Sequence, residues 1–516
     1  MSYTSPRSIP REESVVREVV LAADLGSGSL RVGAVTAKGK VVATASTALP
    51  AAERAGAGTA VDADAWWRAL NRTVGRALLQ LPKGDHVRGV CLSGMTRSQV
   101  LLDREGSPLA PALLFRDQRA MSDAREVARH FATGNPADEI TAFHPLARIA
   151  WFARRQPKLF ARISAVVEPK DFLNFRLTGE IAADSVTYSR FDDLRATDPL
   201  PEWLSRCVRL LEPRRIAPWQ MLGEVTSRQS PWRRLARIPV MTGAMDAWAT
   251  AVGAGAVGAG QGYDIAGTSE VAGLITSARA AVPGLVSLTW GERSYQIGGP
   301  TQAGADCASW AYATLRVRGS LAAAVERAGK TMPAHDRPLF LPYLAGERTP
   351  IWRADVRGTF EGLLRGHDAD DLFWAVLEGV ALAMRDILER AVDGSNGAMR
   401  EVRVAGGGAR SNAWCQIKAD VMQVPMIRTS QPETGLVGAA MAAAVGLGWH
   451  KSLAAAATAM CPTERVFEPR APLAAIYAQR AERYGRARRH AIAQANAAML
   501  PVPAMPTRAS RSGTRR

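Results

Sequence analysis

The stretch that decides the fold is Val19-Val20-Leu21-Ala22-Ala23-Asp24-Leu25-Gly26-Ser27-Gly28-Ser29, in which an apolar run ends at an aspartate and a glycine-rich turn. The apolar run predicts a buried β-strand. Asp264-Ile265-Ala266-Gly267-Thr268-Ser269 repeats this arrangement in the second half of the chain. Glycine lets the backbone approach an anion, so each turn can offer N–H groups to phosphate. Two such turns facing each other would hold a phosphate chain from both sides, although either one alone also fits a plain hairpin turn.

Around these two turns the pattern alternates between strands and helices, which predicts an α/β protein. The expected strands are Arg31–Thr36, Lys40–Ala45, Val87–Leu92, Gln99–Asp103, Ile238–Thr242 and Val402–Val404. The expected helices are Ala65–Leu81, a helical arginine-rich region from Met121 to about Leu211, a helix beginning at Asp246, the amphipathic helix Asp371–Val392 and a helix capped by Ser411. The small, glycine-rich segment Gly243–Gly267 is where we expect the change of domain.

The composition is typical of a globular protein, and the length predicts two domains. The chain has 516 residues, of which 47% are apolar and 22% charged, and this length exceeds one ordinary core. No run reaches the roughly 20 apolar residues that a membrane span needs, and the residues up to Arg17 lack the pattern of a secretory signal. Five scattered cysteines without a CxxC pair suit a reducing compartment. We therefore expect a cytoplasmic protein.

The net charge of +17 raises the question of nucleic-acid binding. The arginines are spread along the chain instead of forming one stripe, so solvated arginine-rich surfaces are the better interpretation and we expect no nucleic-acid or membrane partner. Pro501–Arg516 holds four arginines and almost nothing to bury, which predicts a disordered tail.

Two aspartates have the positions that phosphoryl transfer requires. Asp24 ends the first strand beside the glycine-rich turn, which makes it a candidate to bind Mg²⁺ through water. Asp246 follows Gly243 at the start of a helix, where a carboxylate can accept a proton from an attacking hydroxyl. A turn aspartate and a simple helix cap are the alternatives for these two residues. The G-x-x-x-x-G-K-[ST] motif is absent, so phosphate is not held by a P-loop.

The blocks of sequence around these residues resemble the FGGY carbohydrate kinases, which include xylulokinases and glycerol kinases, over about residues 18–470. The blocks that carry the resemblance are Asp24–Arg31, Arg176-Leu177-Thr178-Gly179-Glu180, Gly243-Ala244-Met245-Asp246, Gly267-Thr268-Ser269, Phe340–Pro350, Arg357–Leu363, Leu377-Glu378-Gly379-Val380 and Gly406–Ser411. Their order along the chain is that of the family.

The resemblance implies two actin-like (ribonuclease-H-like) domains with ATP in the cleft between them. It implies an N-terminal segment 1–17 expected to be disordered, a sugar-binding domain 18–247, a nucleotide-binding domain 248–475 and a C-terminal helix with a basic tail, 476–516. It makes Asp246 the expected catalytic base and Asp24 the acidic residue expected near the metal, Mg²⁺. The residues expected to bind ATP are Gly26, Ser27, Gly28, Ser29, Gly267, Thr268, Ser269, Gly304, Gly406, Gly407, Gly408 and Asn412.

The expected sugar-binding residues depart from the usual family pattern. Xylulokinases usually carry Ser-Gly-Gln-Met-His-Gly, whereas this chain reads Ser93-Gly94-Met95-Thr96-Arg97-Ser98. The Trp-x-Asp-x-Arg block appears as Phe115-Arg116-Asp117-Gln118-Arg119. We expect Gly94, Met95, Arg97, Asp117 and Asp246 to line the sugar site. Arginine offers only donors, so Arg97 would favour a carboxylate, a phosphate or several acceptor oxygens, unless it turns away and pairs with a nearby acid.

The expected activity is ATP-dependent phosphorylation of a small sugar or polyol, with a pentulose such as D-xylulose as the leading substrate. Glycerol, ribulose, gluconate or another hexonate, and an autoinducer-type ketose are the alternatives within the family. An ATP-hydrolysing switch and a sugar sensor without turnover are the alternatives outside kinase activity. The sequence leaves the oligomeric state open, with a homodimer as one possibility.

Overall fold

The computed structural model describes residues 17–55, 57–132, 135 and 139–498. The expected disordered tail and all but one residue of the segment 1–17 lie outside this range. Arg17 is the exception, and its backbone N–H and its guanidinium both donate hydrogen bonds to Asp85. No helix in the described ranges is both long and apolar enough to cross a membrane.

The first half of the chain holds strands β1 to β15 and helices α1 to α7. The strands are Glu18–Leu25, Ser29–Thr36, Val41–Ala48, Glu53–Ala55, Gly58–Val61, His86–Gly94, Val100–Leu102, Ala112–Leu113, Phe131–Ala132, Ala165–Val167, Ala183–Asp184, Arg195–Ala196, Arg215–Ile216, Met221–Glu224 and Pro239–Met241. The helices are Ala63–Gln80, Met121–Ala128, Pro145–Arg155, Pro157–Arg162, Pro169–Thr178, Glu202–Leu210 and Asp246–Gly253.

The second half holds strands β16 to β24 and helices α8 to α14. The strands are Gln261–Ala266, Glu270–Thr276, Val286–Gly291, Ser294–Pro300, Leu339–Leu341, Thr359–Glu361, Glu401–Ala405, Met426–Thr429 and Thr463–Phe467. The helices are Ala305–Thr314, Leu321–Ala328, Ala369–Ser395, Asn412–Met422, Thr434–Gly446, Leu453–Met460 and Ala474–Ala498. The expected helix Asp371–Val392 is confirmed within α10, and Ser411 caps α11 as expected.

Two large mixed sheets repeat one topology. The first has the order β14-β15-β6-β1-β2-β3 and the second β18-β19-β17-β16-β22-β23-β24. In each, the first strand pairs antiparallel with the next strand and parallel with a later one: β1 with β2 and β6, and β16 with β17 and β22. The two similar turns found in the sequence therefore occupy equivalent places in two related domains, between β1 and β2 and between β16 and β17.

The core strands and their covering helices form layers. Val19–Ala23 are at most 4% exposed because β1 is covered on both faces. Helices α1 and α5 cover the outer face of the first sheet, and α10 and α11 cover the outer face of the second. Helices α2, α3, α4 and α6 form a smaller core of their own beside the first sheet.

Helices α7 and α12 lie between the two sheets and share one apolar core with both of them. The backbones of the two helices are in contact where the helices cross. A Cβ atom added to Gly438 would lie 1.8 Å from the Ala249 carbonyl oxygen, and one added to Gly253 would lie 1.9 Å from the Thr434 carbonyl oxygen. The expected domain boundary after residue 247 falls inside α7. The boundary itself stays a prediction.

Candidate active site

The carboxyl ends of β1, β6 and β15 bring three predicted site residues together. Ser93 donates a hydrogen bond of 3.2 Å to Asp24 Oδ1, and Gly94 pairs with Met245, the residue before Asp246. This edge is where ligands bind in open α/β sheets. Asp24, Gly94 and Asp246 therefore lie side by side at the mouth of the first domain.

Gly243 makes the turn that leads to Asp246. Its φ is +65°, and a Cβ atom there would lie 1.8 Å from the Leu92 carbonyl oxygen. No other residue type fits this combination of backbone angle and close approach. The turn delivers Asp246 as the first residue of α7, where its Oδ1 accepts a 2.7 Å hydrogen bond from the Ala247 N–H.

The Asp246 carboxyl, which is the expected general base, has a raised pKa. Burial, followed by repulsion from the charge of Asp24, raises its pKa to about 7. Glu168 adds to this repulsion, while the Ala247 N–H opposes it. A base that is poised near neutral pH can accept a hydroxyl proton during attack on phosphorus.

Asp24 is the carboxylate that the sequence leads us to expect near the metal. Burial raises its pKa, while the Ser93 hydrogen bond and the charge of Arg31 lower it. The described residues contain no group of three or more His, Cys, Asp or Glu side chains that could hold a metal ion. Mg²⁺ usually keeps several waters and uses one or two carboxylates together with substrate phosphates. The carboxylate of Asp24, next to the first turn, fits that mode of binding.

The two glycine-rich turns offer unused backbone donors. Within the described part of the chain, the N–H groups of Ser27, Gly28, Thr268 and Ser269 have no hydrogen-bond acceptor. Ser27 and Gly28 are exposed, and a Cβ atom on Gly28 would meet nothing within 4 Å. Exposed turns with free N–H groups form concave sites for anions.

The second turn is fixed by its neighbours. The first two N–H groups of α8 donate to the carbonyl oxygens of Gly267 and Thr268, at 3.0 and 3.2 Å. Gly304 precedes α8, and a Cβ atom there would lie 2.5 Å from the Thr268 carbonyl oxygen. The structure thus places Gly304 directly behind the turn.

The glycines Gly406–Gly408 follow β22, the parallel neighbour of β16, and lie against the second turn. Gly406 has a φ of +87°, and a Cβ atom there would lie 2.5 Å from the Ala266 carbonyl oxygen. Gly407 has open space around it. Asn412 is exposed at the start of α11, and its Oδ1 accepts a 2.9 Å hydrogen bond from Arg428. The residues of the second domain that are expected to hold ATP therefore lie next to one another in space.

A buried ion cluster behind the second turn was not predicted from the sequence. Lys418 Nζ lies 2.6 Å from Asp264 Oδ2 and 2.5 Å from Glu270 Oε1. Burial and the charge of Asp264 raise the pKa of Glu270 to about 8, against the opposing effect of Lys418. Asp264 and Glu270 flank the turn on β16 and β17, so Lys418 ties its two ends together. Asp264 appeared in the repeated stretch, but nothing in the sequence connects it with a lysine on α11.

The expected sugar-binding residues divide into two groups. Arg97 is partly exposed at the start of the loop after β6. Met95 is 5% exposed and packs in the apolar core of the first domain. Asp117 is fully buried, and its two carboxylate oxygens accept hydrogen bonds from Arg119 and from the Thr59 N–H. A direct role in sugar binding stays a prediction for Met95 and Asp117.

The comparisons with known proteins agree with this geometry. Residues 19–253 match the N-terminal domain of the FGGY family of carbohydrate kinases, and residues 262–447 match the C-terminal domain. A xylulose kinase from Staphylococcus epidermidis is 28% identical over 470 residues, covering 88% of this chain and 93% of its own. One from Escherichia coli is 29% identical over 482 residues, covering 90% and 97%.

The structural comparison gives the same fold. The crystal structure of xylulose kinase from Rhodospirillum rubrum superposes with a TM-score of 0.82 at 24% identity, covering 93% of this chain and all of that one (100%). The expected pair of actin-like domains is therefore confirmed. On the matches of both of its domains, this chain belongs to the FGGY family of carbohydrate kinases.

Proposed function

We propose that the protein transfers the γ-phosphoryl group of ATP to a hydroxyl of a small open-chain sugar or polyol, with Asp246 as the general base. One observation carries this proposal. Two glycine-rich turns with free N–H groups end equivalent strands of the two domains, and the Asp246 carboxylate lies at the same sheet edge as the first turn. Donors for phosphate and a base for the acceptor are the parts that phosphoryl transfer needs.

In this proposal the phosphates bind between Gly26–Ser29 and Gly267–Ser269, with Gly304 supporting the second turn. Adenosine binds at Gly406–Gly408 and Asn412. Asp24 holds Mg²⁺ through water, and the bound ion would neutralise charge on the phosphates. Asp246 accepts the proton of the attacking hydroxyl as the new oxygen–phosphorus bond forms.

D-Xylulose is the first acceptor to test, since the relatives that cover 88% and 90% of this chain are named xylulose kinases. Glycerol, ribulose, gluconate and autoinducer-type ketoses complete the panel. We also propose a cytoplasmic location, a homodimer and the domain limits 18–247 and 248–475, on the basis of the family.

The test of the proposal is Asp246→Asn. We expect kcat to fall by about 10²–10⁴, because the variant cannot accept the hydroxyl proton. ATP affinity, measured by calorimetry, should stay near the wild-type value because Asp246 contacts the acceptor. Asp370→Asn is the matched control, since Asp370 is an exposed acid in the first turn of α10. Near-normal turnover by Asp246→Asn would exclude Asp246 as the base.

A further inference from the structure

Arg97 is held rigidly by its backbone while its side chain is unpaired. Its φ is +57°, an uncommon value for a residue with a long side chain. Its N–H donates a 3.0 Å hydrogen bond to Glu168, and its carbonyl oxygen accepts one of 2.8 Å from the fully buried Arg148. The partly exposed guanidinium makes no hydrogen bond or ion pair with any described residue. The alternative that Arg97 turns away and pairs with an acid is thus not what the structure shows.

The acids near Arg97 already have partners. The Oε1 atom of Glu168 accepts from the Thr96 hydroxyl, from the Arg97 N–H and from Arg190. Asp117, the other acid of the expected sugar site, is fully buried and bound by Arg119. Positive charge therefore exceeds negative charge around the Arg97 guanidinium.

The environment of this guanidinium is unfavourable without an anion. Burial, and then the charges of Arg190, Arg348 and Arg148, lower the pKa of Arg97 to about 9. A charged group that is partly desolvated and surrounded by like charges costs free energy unless an opposite charge joins it. A bound anion would remove that cost.

His144 supplies a second unused donor. As the N-cap of α3, its Nδ1 accepts a 3.1 Å hydrogen bond from the Leu146 N–H, so the proton of the neutral ring is on Nε2. Burial, then the charges of Arg97, Arg190 and Arg148, lowers the pKa of His144 well below its usual value, so the ring is neutral at pH 7. Its Nε2 has no partner among the residues that the structure describes.

We propose that the preferred acceptor is an open-chain polyhydroxy acid, whose carboxylate binds Arg97 and His144 and whose distant hydroxyl is phosphorylated at Asp246. This inference rests on the proposed kinase function and specifies its substrate class. The hydroxyl oxygen bonds to the γ-phosphorus, the bond from that phosphorus to the ADP oxygen breaks, and Asp246 takes the hydroxyl proton. The acceptor carboxylate is unchanged in the reaction.

The positions of two other side chains support this orientation. Gly94, three residues before Arg97, pairs with Met245, the residue before Asp246, and the charge of Glu168 acts on both Asp246 and Arg97. The guanidinium of Arg348 is held at the second turn, because it donates to Ser269 Oγ at 3.4 Å and to the Thr301 carbonyl oxygen. Arg348 thus serves the phosphate side, and Arg97 is left for the acceptor.

The experiment compares acids with alcohols of the same chain. D-Gluconate with D-glucitol and D-xylonate with xylitol differ only in the carboxylate, and D-xylulose is the neutral ketose. We expect wild-type kcat/KM to favour each acid by about 10²-fold or more, as a site built around a charged donor does. Arg97→Gln should lower kcat/KM for the acids about 10–100-fold and leave the alcohols and D-xylulose unchanged or improved. Arg97→Lys should retain part of the preference, and exposed Arg155→Gln should retain all of it.

A binding measurement keeps this inference separate from the proposed function. D-Gluconate should raise the Tm of the wild-type protein and not that of Arg97→Gln. Wild-type turnover of D-xylulose with no preference for acids would overturn the inference and leave the kinase function standing. If Arg97→Gln raised KM for ATP equally with every acceptor, the inference would also be overturned, because Arg97 would then bind the phosphoryl group. If the acid binds but no acceptor is phosphorylated, the kinase function fails and the anion site stands.

Discussion

At the scale of single residues, we expect the charge of Asp24 to affect the reaction rate through the pKa of Asp246. Because burial and Asp24 raise the pKa of the Asp246 carboxyl to about 7, the ionised base is the minor form below that pH. We expect kcat/KM for the acceptor to rise about tenfold per pH unit on the acid side and to level off above about pH 7. The pH profile of kcat/KM at saturating MgATP measures this.

The same profile for Asp246→Asn is the control. The residual activity of this variant should lose the acidic limb, because asparagine does not titrate. A wild-type profile that is flat across pH 7, or a limb that persists in Asp246→Asn, would show that another group controls the rate.

The places of several candidate site residues in the fold could be predicted from sequence because these residues lie in short contiguous motifs. Asp24, Asp246 and the two turns each follow a recognisable strand, so their place at a sheet edge followed from the order of elements. Glu168, Lys418 and His144 could not be found this way. Their importance depends on partners far away in sequence, such as Asp264 for Lys418 and Arg97 for His144.

At the scale of elements, the crossing of α7 and α12 depends on the absence of side chains. Gly438→Ala would place a methyl group against the Ala249 backbone, which cannot move without displacing α7. We expect this change to reduce the free energy of unfolding by about 1–3 kcal/mol or more. Urea denaturation checks the value.

Gly75→Ala is the matched control for this substitution. Gly75 also lies inside a helix, α1, but a Cβ atom there would meet nothing within 4 Å. Gly75→Ala should therefore raise the free energy of unfolding by about 0.5–1 kcal/mol, the usual gain for alanine over glycine in a helix. Equal effects of the two substitutions would show that the crossing tolerates a side chain.

The elements differed in how well the sequence predicted them. Helix α10 has one apolar face and a capping box at Asp368, so its pattern was clear. Helix α12 is almost wholly apolar and buried on all sides, since a sheet lies on each side of it. A helix of this kind has no polar face to mark its orientation, so the sequence could not indicate which sheet it covers.

At the scale of the whole molecule, the two domains should close when both substrates bind. Closure excludes water, which would otherwise compete with the sugar for the phosphoryl group. We expect the radius of gyration from small-angle scattering to fall when the acceptor and a non-hydrolysable ATP analogue are added together. The acceptor alone and the analogue alone serve as controls. An unchanged radius with both ligands would contradict closure.

The position of α12 also affects how the chain folds as it is synthesised. The strands of the first sheet are complete at Met241, yet the helix that covers much of their inner face begins only at Thr434. As the protein leaves the ribosome, Val20, Ala22 and Cys91 therefore have an incomplete apolar cover until the second domain is almost finished. Uncovered apolar surface promotes aggregation. We therefore expect the core of the first domain to be complete only after α12 has been synthesised.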